Sequence, residues 1–267
     1  MSEFANILVV KIGGGAGLNL AWCADDLAEL ARQRLLVVVH GVSDRLNRLC
    51  AERGVEVRTL ISPSGHSSRY TDPLTRDLFV EAARSVSAEL RQSLAERGVR
   101  AAAIEGAILG QRKDAVRAVV DGRVRVIRDD YSGTITQVLP DPIAEALRAG
   151  LVPLLPPLAS SPDGFLNVDG DRASAAVAAS LRASELVILS NVRGLYRSWP
   201  DDSSLVARVP QSQLEAALSW AEGRMKRKVL GAQEALRGGV SRVIIGDGRQ
   251  PQPIRAALSG QGTEFCP

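Results

Sequence analysis

The chain has 267 residues, of which 45% are hydrophobic and 24% charged, which excludes a wholly disordered or fibrous protein. Basic residues exceed acidic ones by only three, too few to mark a nucleic-acid-binding surface. Cys23, Cys50 and Cys266 are odd in number and form no CxxC pair, which argues against a disulfide framework or a zinc site.

Short apolar runs alternate with helical patterns along the chain. Residues 7–12 are a buried strand closed by Gly13-Gly14-Gly15, and residues 20–32 have helical composition. Residues 35–40 are a second buried run ended by Gly41, followed by a helix over 44–53. Leu78, Ala82, Val86, Leu90 and Leu94 recur every four residues and predict a long helix stopped by Gly98. A short strand at 101–104 precedes a hairpin over 118–126, where Asp121-Gly122 suits a type I′ turn. A helix from Asp141-Pro142 to Gly150 leads to a strand at 151–155, broken by Pro156-Pro157. Beyond it lie an alanine-rich helix to about Leu181, a strand at 185–190, a turn at 191–194, a helix at 225–237 and a last clear strand at 242–245. This order predicts an α/β protein with a mostly parallel sheet, in lobes of 1–157 and 158–267 divided at the proline pair. No run approaches the roughly 18 apolar residues of a membrane span, and the N-terminus reads as a first strand, so a cytoplasmic protein is expected.

Several residues carry chemistry in this pattern. The turns at 13–17 and at Gly41 follow strands directly, where glycine lets backbone N–H groups approach a phosphate; ordinary tight turns give the same pattern. Neither is a P-loop, and from Gly13 the third glycine position of a Rossmann fingerprint is Leu18. Lys11 interrupts an apolar strand at its carboxyl end, where α/β sheets bind ligands; the alternative is an edge lysine whose charge reaches water. Gly223-Arg224-Met225-Lys226-Arg227-Lys228 sets four cations at a helix start, either a solvated face or a place for an anion. Asn167-Val168-Asp169-Gly170-Asp171 lacks the spacing of a calcium loop; one of its carboxylates orients basic groups or helps hold Mg²⁺. His40 and His66, the only histidines, have no catalytic partner in view, so a mechanism without a general base is favoured.

Taken in order, six segments resemble the amino acid kinase family. They are Val10-Lys11-Ile12-Gly13-Gly14, His40-Gly41, Ser68-Arg69-Tyr70-Thr71-Asp72, Asn167 to Ala173, Leu189-Ser190-Asn191-Val192-Arg193-Gly194-Leu195, and Gly223 to Lys228. The acetylglutamate kinase-like branch is nearest. Within it, Asp130-Tyr131-Ser132-Gly133-Thr134 resembles kinases acting on α-aminoadipate, or glutamate, attached to the carrier protein LysW.

The resemblance implies a three-layer αβα sandwich that uses ATP and Mg²⁺, with the acceptor in the N-terminal lobe and ATP in the C-terminal one. It implies that Lys11 and Lys228 neutralise the transferring phosphoryl group and that Asp171 orients them. Gly13, Gly14, Gly41 and Val42 would bind phosphate, and Arg69 and Asn167 the amino-acid part of the acceptor. Ser190, Asn191, Gly194, Leu195 and Met225 would bind ATP, with no metal held by the protein. A LysW-like carrier and a second copy of the chain, as a homodimer, are the implied partners. Arg45, Arg48, Arg112, Lys113, Arg117, Arg123 and Arg125 are candidates for an arginine-rich rim facing the carrier. Free N-acetylglutamate is the alternative acceptor, and a catalytically weak binding or regulatory homologue a third reading. Three departures bear on activity: Val42 replaces a usual glycine, Asp44 brings negative charge near phosphate and needs Arg45 to offset it, and the usual glycine-rich turn is reduced to Ile104-Glu105-Gly106.

Overall fold

The computed structural model describes residues 6–63, 65, 67–120 and 122–267. Residues 1–5, His66, and Asp121 of the expected Asp-Gly turn lie outside the described residues.

The chain begins with β1 (Leu8–Ile12), α1 (Leu20–Ala31), β2 (Leu36–His40) and α2 (Ser43–Glu52). A short hairpin, β3 (Thr59–Ile61) and β4 (Ser67–Arg69), precedes the long α3 (Pro73–Ala95). Then come β5 (Ala101–Ala103), β6 (Ile108–Arg112), the hairpin β7 (Val116–Val120) and β8 (Arg123–Ile127), β9 (Gly133–Val138), α4 (Pro140–Arg148) and β10 (Val152–Leu155). Beyond Pro156-Pro157 follow β11 (Leu158–Ser161), β12 (Gly164–Asn167), α5 (Gly170–Ser180), β13 (Glu185–Ser190), β14 (Arg208–Pro210), α6 (Leu214–Trp220), α7 (Gly223–Arg237), β15 (Arg242–Asp247), α8 (Pro253–Leu258) and β16 (Thr263–Cys266).

Eight strands form the central sheet in the order β14-β16-β15-β13-β1-β2-β10-β5. Its pairings are parallel except β15 with β16. A second sheet has the order β12-β11-β6-β9. β16 lies beyond the strand expected to be last; four residues are too short to show a period, yet Phe265 within it is fully buried.

Both faces of the central sheet are covered, so its strands read as unbroken apolar runs. Strand alternation sorts them. Leu8, Val10, Ile12, Leu36 and Val38 face a layer built on Leu27 of α1, Leu46 of α2, Leu90 of α3 and Ile254 of α8. Ile7, Val9, Val37 and Val39 face the opposite layer, built on Val177 of α5, Ala217 of α6 and Val229 of α7. The result is the expected αβα sandwich. The same parity decides two polar residues. Lys11 shares the face of Ile7 and Val9, toward α5 and α7, and His40 shares the face of Leu36 and Val38, toward α3.

Helix starts are set locally. Asp72 caps α3 by accepting from Thr75 N–H at 2.8 Å, with Pro73 in the first turn. Asp169 caps α5 by accepting from Asp171 N–H and Arg172 N–H, both at 3.0 Å. Leu90 of α3 is fully buried between helix and sheet. Leu90→Ala is expected to destabilise the fold by about 2–5 kcal/mol, read as a lower urea midpoint; an unchanged midpoint would place α3 outside the core.

Candidate active site

The site lies at the carboxyl ends of β1, β2 and β13. Two turns meet there. Gly41 N–H donates to the Ile12 carbonyl at 2.8 Å, and Asp44 N–H to the Gly14 carbonyl at 2.7 Å. Gly14 and Gly41 touch backbone to backbone: a Cβ on Gly14 would run into Val42 N and Gly41, and one on Gly41 into Gly14. A cleft of about 500 Å³ lies against these turns, lined among others by Gly13, Gly14, Gly15, His40, Gly41 and Val42. Val42, at a position where the resemblance leads one to expect glycine, has φ −135° and ψ 4°, so it avoids the positive φ that valine resists, and it packs in the core. Asp44 is offset by Arg48, one helical turn on, at 2.7 Å, and not by Arg45, which is engaged by Ser85 and Glu89.

On the other face of β1, Lys11 Nζ lies 2.6 Å from Asp171 Oδ1, and Lys228 Nζ donates to Asp171 Oδ2 at 2.9 Å. Each of the three side chains is 11% exposed or less. Asp171 stands in the first turn of α5 and Lys228 in α7. The two helices approach closely at Gly231, where a Cβ would be 3.1 Å from the Asp171 carbonyl oxygen. Burial pushes the Asp171 carboxyl up, but Lys11 and Lys228 outweigh it and hold it well below the usual carboxylate range. Burial, and then the Lys11 charge, pulls Lys228 below the ordinary lysine value against the attraction of Asp171. With one carboxylate and two ammonium groups charged, the cluster keeps one positive charge.

The four cations at the start of α7 therefore separate. Lys228 turns inward, Arg227 pairs with Asp169 at 3.5 Å and donates to the Ser67 carbonyl, and Lys226 is exposed. Arg224 extends toward the glycine turn at 13–17, its Nη1 3.6 Å from where a Cβ on Gly15 would sit.

Arg69, at the end of β4, donates from Nη2 to Asn47 Oδ1 at 2.6 Å. Its Nη1 is buried and has no partner among the described residues. Asn167 donates from Nδ2 to the Thr71 hydroxyl at 2.9 Å. Ser190 ends β13 beside Gly13, because β1 and β13 run in register as far as Ile12 and Leu189. Asn191 and Gly194 are in the following turn, and Met225 is half-buried against the core in the first turn of α7. Leu195 is buried, with its N–H donated to Thr263 Oγ1 at 2.8 Å and its carbonyl accepting from Val206 at 2.8 Å, so only its side chain is left to shape a pocket.

His40 is fully buried, bonded to Ser87 Oγ at 2.7 Å, and burial lowers its pKa to about 4. It is neutral at pH 7 and faces α3, away from the lysines. Among the rim candidates, Arg112 stacks on the Tyr131 ring at 4.0 Å and donates to the carbonyls of Asp130 at 3.1 Å and Arg128 at 2.6 Å. Lys113, Arg117, Arg123 and Arg125 are exposed on or beside the β7–β8 hairpin. Asn47, Thr71 and Asp130 had no role in the sequence reading. Asn47 lacks a spacing signal, and Thr71 and Asp130 figure only within resemblance motifs.

Paired lysines on a buried carboxylate, near glycine turns at the strand ends of an αβα sandwich, are an arrangement able to receive an anion such as a phosphate. The Amino acid kinase family matches residues 6–247, and the chain belongs to it; it is an ATP-dependent kinase. It is 43% identical over 268 residues to "[LysW]-aminoadipate kinase" of Deinococcus radiodurans, covering 98% of this chain and 92% of that one. It is 41% identical to the enzyme of the same name from Thermus thermophilus, covering 96% of this chain and 99% of that one. Among solved structures, an N-acetylglutamate synthase from Neisseria gonorrhoeae superposes with a TM-score of 0.80 at 27% identity; 99% of this chain spans 60% of that one. Carbamate kinase from Giardia lamblia has a TM-score of 0.69 at 15% identity, covering 100% and 99% of the two chains, and shares the fold.

Removing the Asp171 charge leaves two buried cations. Asp171→Asn is expected to cost about 3–5 kcal/mol at pH 7. A carboxyl whose folded pKa is depressed stabilises above its unfolded value of about 4, and that stability fades as pH falls toward the folded pKa. The gap between wild type and Asp171→Asn in chemical denaturation should therefore shrink from pH 7 to pH 3; an equal gap at both would show that Asp171 is not the ionised partner.

Proposed function

We propose that this kinase transfers the γ-phosphoryl group of ATP to the side-chain carboxylate of α-aminoadipate, or glutamate, carried on a LysW-like amino-group carrier protein. The single observation behind the reading is the buried Lys11–Asp171–Lys228 cluster with its leftover positive charge. The relatives' names supply the carrier and the amino acid. Lysine or arginine biosynthesis is the setting that goes with them.

The acceptor is a carboxylate, ionised at neutral pH without a base. Its oxygen forms a bond to the γ-phosphorus as the bond to the ADP oxygen breaks, giving an acyl phosphate and ADP. In this reading Lys11 and Lys228 stand against the charge on the moving phosphoryl group, and Asp171 holds them apart at fixed positions. The N–H groups of the turns carrying Gly13, Gly14, Gly41 and Val42 are the phosphate donors. Ser190, Asn191, Gly194, Leu195 and Met225 form the nucleotide side. Arg69 Nη1, buried and without a partner among the described residues, takes a carboxylate of the acceptor that does not react, and Asn167 is the other acceptor-binding residue. Residues 1–157 are read as the acceptor lobe and 158–267 as the ATP lobe.

Magnesium fits as a partner of the nucleotide phosphates. Both oxygens of Asp171 face lysines, and no cluster of three His, Cys, Asp or Glu among the described residues is placed to hold an ion. When bound it would neutralise phosphate charge; no step here is assigned to it. A cytoplasmic homodimer completes the proposal, following the family resemblance. Exposed Arg117, Arg123 and Arg125 give the carrier-facing rim.

Trapping the product with hydroxylamine, in a coupled assay of ADP release, tests the reading. Carrier-linked aminoadipate should give hydroxamate, and turnover with free N-acetylglutamate alone would overturn the carrier. Lys11→Ala and Lys228→Ala should each lower kcat by about 10²-fold or more; near-normal rates in both would overturn the mechanism.

A further inference from the structure

Three separate stretches of chain meet behind Arg69 and Asn167. Residues 69–72 leave β4, residues 130–132 lead into β9, and Asn167 ends β12. Asp130 is only 1% exposed. Its Oδ1 accepts from Thr71 N–H at 2.8 Å, and its Oδ2 from Ser132 N–H at 3.2 Å and from the Ser132 hydroxyl. Tyr131 N–H donates to the Thr71 carbonyl at 2.7 Å, and Asn167 N–H to the Tyr131 carbonyl at 2.9 Å. Thr71 itself is fully buried. Its hydroxyl donates to the Arg69 carbonyl at 3.3 Å and accepts from Asn167 Nδ2 at 2.9 Å. One hydroxyl thus joins the two residues read as the acceptor clamp, which stand 98 positions apart in the chain.

We infer that Thr71, held in place by Asp130, is a positioning residue for the phosphoryl acceptor. It fixes the Asn167 amide against the backbone of Arg69, so that the clamp is assembled before the acceptor arrives. The terminal torsion of an asparagine is soft, and an amide without a partner would turn between orientations. With Nδ2 bonded to Thr71, Oδ1 is directed away from it. Ordering both groups during folding removes that cost from binding. Asn47 does the equivalent for the Arg69 side chain, engaging Nη2 and leaving Nη1 open. The inference rests on the reading of Arg69 and Asn167 as acceptor-binding.

A pair of substitutions at one position tests it in the full-length enzyme. Thr71→Val keeps the volume and deletes the hydroxyl; Thr71→Ser keeps the hydroxyl and deletes a methyl group. The valine variant should raise KM for the acceptor by about tenfold, the loss of one hydrogen bond, with KM for ATP and Tm close to those of the serine variant. The serine variant should hold the wild-type acceptor KM. In an Asn167→Ala background the valine substitution should have little further effect, since the contact is already gone. Equal acceptor KM for the two variants, or an equal rise in both KM values for valine, overturns the inference. Thr71→Cys, a weak hydrogen-bonding group of similar size, takes the place of valine if that variant does not fold. Wild type is assayed first on carrier-linked aminoadipate and on N-acetylglutamate. Turnover of the second alone overturns the carrier reading, and the Thr71 comparison is then decided on that acceptor. Turnover of neither overturns both.

Discussion

Asp171 faces two ammonium groups in a space that water barely reaches, and most of the molecule's architecture can be traced to that arrangement. Two cations side by side in a protein interior repel strongly, and each alone would shed its proton or move to solvent. The carboxylate between them makes the pair tolerable and leaves one charge unanswered. A resident group in that role would be a liability for stability. An incoming anion would supply the missing counter-charge. Three elements from distant parts of the chain deliver the three groups. Strand parity turns Lys11 to the correct face of the sheet, a capped helix start presents Asp171, and a glycine on α7 lets Lys228 come within reach.

The choice of lysine is part of the same constraint. The chain has 29 arginines and only four lysines, yet two of the four lie here. An ammonium is compact and can sit against a single carboxylate oxygen. Two forked guanidinium groups with five donors each would leave buried donors unpaired around one carboxylate. At the end of β4 the chain returns to arginine, where the fork of Arg69 has one arm held by Asn47.

Much of the framework could be read from residue order because both faces of the central sheet are buried and its inner strands β1, β2, β10, β13 and β15 are mostly apolar runs. The short peripheral strands β3, β4, β11, β12, β14 and β16 carry no such signal, being three or four residues long and in part polar. Lys11 was legible as a lone charge in an apolar strand. Asp171 and Lys228 were not separable from Asp169 and the neighbouring cations by pattern alone; the family resemblance singled them out, and in the fold they are buried and paired with each other. Asp169 is occupied with a helix cap and Arg227, while Lys228 alone of its run faces the interior. The pairing of Asp44 with Arg48 was present in the helical spacing of four, although its neighbour Arg45 drew attention first. Asn47 and Thr71 had no local signature, since their contacts to Arg69 and Asn167 span 22 and 96 positions and exist only once the chain has folded.

The backbone contact between Gly14 and Gly41 has an evolutionary consequence. Each residue occupies the room in which the other would need a side chain, so neither site can drift by single steps. A methyl group gained on one turn displaces the neighbouring turn, and shrinking a neighbour cannot compensate, because nothing smaller than glycine exists. Room for a side chain at the cradle is left instead at positions such as 42, where φ is negative and the side chain packs into the core. Val42 stands at such a position, among residues otherwise stripped to the main chain.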